Sequence, residues 1–333
     1  MNYNGKNANA QLANYLAVRN QYYCRPEVFP MPPMYFEEVF ALDECAGALA
    51  RGTSLPFKVE RTATQIKCLP TKTGLSVAHL PQYVSGVLPP NQNVDVKLGL
   101  RAQALLDTCV QAGISPFTSA AQSQAYTGSI LGEVINTVTS RFRRVTQSLT
   151  FQDMQRQQKR ALANINAACR RVVKEVSVKA IPINIWHADL VMKERCSAEA
   201  ADKEFISLRR EIEARAMREG YLGLIWWREY LPSSGYLFHV ILLTSTSNNA
   251  MGHSPTFALG QHMHGAHLDF KACLHAIEHT DPTVQQLYWT SELTFDALIQ
   301  QVNLFARAQL VLGLSNSKGC MIHGGATFLG ASF

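Results

Sequence analysis

YLGLIWWREYLPSSGYLFHVILL, residues Tyr221–Leu243, reads as two apolar strands joined by a tight turn. Leu222, Leu224, Ile225, Trp226 and Trp227 make one arm bulky or β-branched, and Phe238, Val240, Ile241 and Leu242 do the same for the other. Pro232-Ser233-Ser234-Gly235 divides them; proline presets φ and glycine tolerates positive φ, which is hairpin chemistry. With Ser233–Gly235 as the loop, Glu229 stands directly opposite His239. Opposed side chains lie about 5 Å apart at Cβ, close enough to share a metal ion. A one-residue slip would put the two groups on opposite faces. The plain alternative is a hydrogen-bonded core histidine beside a solvated edge glutamate.

Around this hairpin the spacing predicts β-α-β-β-α-β. Ile181–Met192 is the first strand, with Pro182 suited to its start. Ser197 caps a helix running to Arg218, with Phe205, Leu208, Ile212 and Ala216 inward and Gly220 ending it. A second helix is predicted within Leu268–His279, a strand at Val284–Thr290, and a last helix over Leu293–Leu312. The fold class is therefore α+β: an antiparallel sheet with helices on one face, its other face open to a ligand. Asp189, near the end of the first strand, joins Glu229 and His239 as three candidate ligands on that open face. Two carboxylates and an imidazole suit Mg²⁺ or Mn²⁺ better than structural zinc. Such an ion would polarise a scissile phosphodiester.

The second informative stretch precedes the sheet. Thr150-Phe-Gln-Asp153 has the form of an N-terminal cap, and Phe151, Met154, Leu162, Ile165, Cys169, Val172 and Val176 then hold one face of a helix. Arg156, Lys159, Arg160, Arg170, Arg171 and Lys174 fall on the opposite side. Roughly 26 residues at 1.5 Å each make a rod about 40 Å long. The net charge of the 333 residues is +6, yet residues 141–180 hold ten Lys or Arg against Asp153 and Glu175. That segment carries +8 and the remainder −2. Ordinary solvated faces mix signs, so a polyanion partner is expected, with nucleic acid favoured over a membrane because interfacial Trp is lacking.

The first half is less legible. Residues 1–80 read as irregular, 81–97 as a linker or long loop, Leu98–Ala112 as a helix ending at Gly113, and Ser129–Arg144 as another helix. The expected division is 1–145, mostly helical and irregular, and 146–333, the α+β domain led by the basic helix. At 47% hydrophobic and 17% charged, the chain buries a sizeable core. Eight scattered cysteines without C-x-x-C argue against a zinc ribbon or a disulfide framework. The polar start MNYNGKNANAQ and the lack of an eighteen-residue apolar run point to a cytoplasmic protein.

Other motifs weigh less. His275-Ala-Ile-Glu278-His279 matches H-x-x-E-H, but beyond it the only glutamate is Glu292, about a dozen residues on, which leaves little room for the separate helical ligand that such peptidases use. With His262, His264 and His267 it reads as a His-rich loop entering a surface helix, with metal affinity incidental. The Gly-rich tail around Lys318-Gly319 and Gly324-Gly325 has no phosphate-loop spacing and reads as a turn-rich close.

WWREY, the short loop and FHVILL, with Ala188-Asp189-Leu190 upstream and Thr327–Ser332 at the end, resemble a family of inovirus and prophage proteins related to rolling-circle replication initiators. The likeness covers roughly residues 175–333. It implies a core in which a metal-bound histidine pair serves a tyrosine that nicks single-stranded DNA. Two departures matter. The family's His-aromatic-His stands here as Leu237-Phe238-His239, and its Tyr-Leu-Ala-Lys-like run as Leu304-Phe305-Ala306-Arg307. Leucine has no atom to form a phosphotyrosine-like link. Arg307 keeps a phosphate-binding cation, and Tyr288 is the nearest replacement nucleophile.

The expected function is thus DNA binding, single-stranded, in a mobile element, on a replication-initiator-like core whose nicking site is degenerate. Trp186, Trp226 or Trp227 would stack on bases if their rings face outward. The alternatives are an active metal-dependent nickase and a non-catalytic assembly or regulatory protein.

Overall fold

A computed structural model describes residues 12–13, 16–17, 33–87, 98–114, 129–178, 183–192, 196–231, 235–245, 268–272, 284–287, 315–316, 319–320 and 324–329. The fold is α+β, with much helix and small antiparallel sheets. Two compact units divide it: residues 1–157 with 310–320, and residues 158–309 with 321–333. Among the described residues no helix is long and apolar enough to cross a membrane.

In the first unit, α1 (Pro33–Arg51), α2 (Lys72–Ser76), α3 (Leu80–Val87), α4 (Leu100–Gln111) and α5 (Ser129–Gln147) accompany a hairpin of β1 (Phe57–Arg61) and β2 (Ile66–Pro70). Phe36, Leu42, Leu49, Leu80, Leu105 and Phe142 are fully buried and form its core. Asn136 on α5 pins the hairpin, accepting from the Phe57 N–H at 3.0 Å and donating to its carbonyl at 2.8 Å. Arg143, a turn or two later, donates to the Leu49 carbonyl at 3.0 Å and the Ser54 carbonyl at 2.7 Å, closing the end of α1.

These elements correct two sequence expectations. Residues 33–80 are ordered into helix and hairpin, not irregular, and Pro81 sits in the first turn of α3, where a missing N–H costs nothing. The start of α1 is hard to read because Pro32-Pro33 marks a loop as readily as a helix start. The helix ending before Gly113 is found where expected, Gly113 taking φ +82°.

The basic helix, α6 (Leu149–Val178, 30 residues), follows α5 after the single residue Ser148. Its cap is Ser148, whose Oγ accepts from the Phe151 N–H at 3.3 Å, rather than Thr150. Both residues are good caps, and the one that falls at the chain's bend is used.

The sheet of the second unit is built from β3 (Ile183–Met192), β4 (Tyr221–Leu231), β5 (Gly235–Ser245), β6 (Leu268–Ala272), β7 (Val284–Leu287) and, after a short pair β8 (Ser315–Asn316) and β9 (Gly319–Cys320), by β10 (Gly324–Phe328). Its order is β10-β4-β5-β3-β6, with β7 also on β3, and every pairing is antiparallel. Between β3 and β4, α7 (Ala198–Glu219) begins at Ser197, whose side chain accepts from the Ala200 N–H, and ends at left-handed Gly220. Phe205, Leu208, Ile212 and Ala216 are its buried face, as their spacing predicts.

Two segments differ from expectation. Leu268–Ala272 is a strand beside β3, not the start of a helix; its Leu-Asp-Phe-Lys-Ala alternation is a period-2 pattern too short to outvote the helical spacing after it. Residues 273–283 lie outside the described residues, as does the whole helix expected at Leu293–Leu312. The Gly-rich tail also contributes a strand: Gly324–Phe328 pairs along Trp227–Gly223. Its glycines fit because a Cβ at Gly324 would stand 3.1 Å from Ile165 of α6 and 3.0 Å from the Trp227 Cβ.

Candidate functional site

Period-2 alternation sends Arg228 and Glu229 to opposite faces of β4. On the α7 side, Phe205 stacks on Phe238 at 4.4 Å and lies 4.8 Å from Trp226. Arg228 joins them there, donating to the Ala198 carbonyl at 3.2 Å and pairing with Asp202 in the second turn of α7. Its guanidinium also sits over the Tyr236 ring, 5.2 Å from the centroid.

Glu229, Trp227 and His239 occupy the other side. The hairpin register pairs Leu231 with Gly235, so residues 232–234 connect the arms and Gly235, at φ +85°, belongs to the strand. The pairing is therefore two positions from the one expected. Trp227 is opposite His239, and Glu229 is opposite Leu237. An even shift keeps the face, so the expected meeting still occurs, on the diagonal: Glu229 Oε2 lies 2.6 Å from His239 Nε2. The Trp227 indole lies along the imidazole, 4.6 Å between centroids and 25° between planes.

This side of the sheet is not open. A Cβ on Gly223 would stand 2.7 Å from Val172, and Gly324 abuts Ile165, so α6 packs on the face that carries Trp227. His239 is 0% exposed and Glu229 3%. Trp226 and Trp227 are buried as well, which removes them as stacking platforms for bases. Sequence alone missed this because α6 precedes the sheet and its apolar face names no partner.

Asp189 is directly opposite His239 across β3 and β5, and opposite Lys271 across β3 and β6. Its side chain lies outside the described residues, as do Trp186, Tyr288, Arg307 and the His262–His279 cluster apart from the backbone of β6. Among the described residues no group of three His, Cys, Asp or Glu is placed to hold a metal ion. The Glu229–His239 pair itself fits Mg²⁺ or Mn²⁺ poorly. Glu229 Oε2 and His239 Nε2 are hydrogen-bonded to each other, and the pair is sealed, whereas Mg²⁺ usually keeps several waters. What the arrangement does is join two buried polar groups by a hydrogen bond.

The basic residues lie differently. Arg156, Lys159, Arg160, Arg170, Arg171 and Lys174 are all exposed along α6. At about 100° per residue they fall within about 60° of one direction. Phe151, Gln158, Ile165, Cys169, Val172, Val173 and Val176 are the buried opposite side. Arg156 pairs with Asp153 at 2.7 Å. Asp153 and Glu175 are the only acidic residues of the helix, so its outer face is strongly positive. Burial pushes the Cys169 thiol up to about 12, in keeping with its place against the sheet.

Comparison with family models, with curated proteins and with solved structures found no match.

Proposed function

We propose that the protein binds DNA through the exposed face of α6, on a replication-initiator-like core that has lost its nicking chemistry. One observation carries this: six exposed cations on one side of a single 30-residue helix, with two acids on the whole helix. Phosphate contacts from Arg and Lys supply most of the affinity of such surfaces. Loss of nicking is supported by Leu237 where the resembling family has histidine, and by burial of the remaining Glu229–His239 pair away from any substrate. The order β-α-β-β-α-β stays part of the proposal, with its second helix confined to residues after Ala272. So does a cytoplasmic site of action; among the described residues Cys45, Cys68, Cys109, Cys169 and Cys196 are thiols, not disulfides.

The test is fluorescence anisotropy with labelled DNA, comparing the wild-type chain with Arg170→Glu/Arg171→Glu/Lys174→Glu. The variant should lose about 100-fold or more in affinity near physiological salt, since contacts are lost and repulsion added. Unchanged affinity would overturn the proposal. Incubation with single-stranded DNA and Mn²⁺ should give no covalent adduct; an adduct would restore the nickase reading.

A further inference from the structure

The outer face of α6 carries two cationic clusters with a neutral saddle between them. Lys159 and Arg160 form one cluster; Arg170, Arg171 and Lys174 form the other. Arg156, which pairs with Asp153, lies about one turn before the first cluster. At 1.5 Å per residue the cluster centres lie about 18 Å apart along the axis. Between them the exposed positions are Ala163, Asn164 and Ala167. The two alanines fall within about 20° of the middle of the cationic face, so nothing larger than a methyl stands there.

We propose that this face lies in the major groove of a DNA duplex, with the two clusters on the phosphates of the two strands and Asn164 reading base edges. This rests on the DNA-binding reading above and names its substrate. The groove is about 12 Å wide and admits an α-helix, and the phosphates that border it stand further apart than the opening. With the helix axis oblique to the groove, two clusters about 18 Å apart along it reach one backbone each. The alanine saddle lets the helix axis come close to the bases, where a larger side chain would hold it off. Asn164, at the edge of the saddle, has the amide that pairs with adenine N6 and N7.

Single strands fit this face less well. Proteins that hold them combine basic grooves with aromatic platforms. The one aromatic residue of α6 is Phe151, buried, and Trp226 and Trp227 are buried under the helices. The opposite side of α6 is fixed by Ile165 and Val172 on the sheet, so the helix is presented as a rigid rod.

The experiment measures binding of the full chain to a mixed-sequence duplex and to each of its strands, with Ala163→Phe/Ala167→Phe and Asn164→Ala as variants. Both alanines are exposed, and melting curves check that the variants fold. The duplex should bind about tenfold tighter than either strand, and the phenylalanine pair should cost the duplex about tenfold while sparing residual strand binding. Asn164→Ala should flatten preference among duplex sequences. Methyl green, a major-groove ligand, should displace wild-type protein, and netropsin, a minor-groove ligand, should not. Duplex affinity unchanged in the phenylalanine pair, displacement by netropsin alone, or tighter binding of single strands would overturn the groove placement while leaving DNA binding intact. An unchanged sequence preference in Asn164→Ala would overturn base reading by that residue. Failure to bind any DNA would overturn both.

Discussion

Glu229 and His239 are not cross-strand partners, yet their side chains meet at 2.6 Å. Leu237 is the residue opposite Glu229, and Trp227 is opposite His239. The carboxylate reaches diagonally along the face while the indole of Trp227 covers the imidazole. Only an even offset between the strands puts the two polar groups together; an odd slip would send them to opposite faces of the sheet. The pair therefore specifies the register of the longest hairpin in the sheet.

Breaking this pair should be costly and removing it whole should not. Glu229→Leu or His239→Leu alone is expected to destabilise by about 3–5 kcal/mol, because a buried polar group loses its partner. The double variant should lose much less than the sum, and Glu229→Gln, which keeps a hydrogen-bonding oxygen, should be the mildest. Chemical denaturation of the four proteins checks this. Additive losses would show that the two groups act independently.

Cys169 reports whether α6 stays seated on the sheet. With its thiol pushed up to about 12 by burial, almost none is thiolate, the reactive form, near neutral pH. Maleimide at pH 8 should leave Cys169, Cys45 and Cys109 unmodified in the native protein and, among the described cysteines, label half-exposed Cys68 and Cys196 before them. Bound DNA should leave Cys169 protected, since the cations face the other way. Rapid labelling of Cys169 without denaturant would contradict the packing of α6.

Much of this was legible in the sequence, and the misses have specific causes. The Ser197 cap, the Gly220 stop and the inward face of α7 follow from local chemistry that no tertiary contact overrides. The meeting of Glu229 with His239 was legible because parity survives a two-residue error in the loop. Burial of the pair was not, because it depends on which helix covers which face. Ile165 and Val172 read only as apolar positions; that they meet Gly324 and Gly223 follows from close approach, for which glycine leaves room. Gly324 and Gly325 have the composition of turn residues but begin the strand that this approach requires. In the first half, Pro33 does not by itself announce α1, because proline is as much at home in a loop as in a first helical turn.

Glu38 on α1 gives a stability that depends on pH. Its side chain lies against α3, where a Cβ on Gly86 would stand 2.7 Å from the Glu38 Cγ. Burial, and then the neighbouring Glu37 charge, hold its carboxyl above the usual carboxylate range. The fold thus favours the neutral acid, so this contribution is fully present below the ordinary carboxylate pKa and is lost as pH rises through the raised one. Glu38→Gln, neutral at every pH, should raise the melting temperature at pH 7, with the gain fading towards about pH 4. A gain of equal size at both pH values would contradict this.

The salt dependence of duplex binding tests the role of α6 most directly. If Lys159, Arg160, Arg170, Arg171 and Lys174 each neutralise one phosphate, log Kobs against log salt should fall with a slope of about −4.5, at about −0.9 per phosphate. Arg170→Gln/Arg171→Gln/Lys174→Gln should reduce that slope to about −1.8. A slope near zero, or one that the triple variant leaves unchanged, would mean that the positive face of α6 is not where DNA binds.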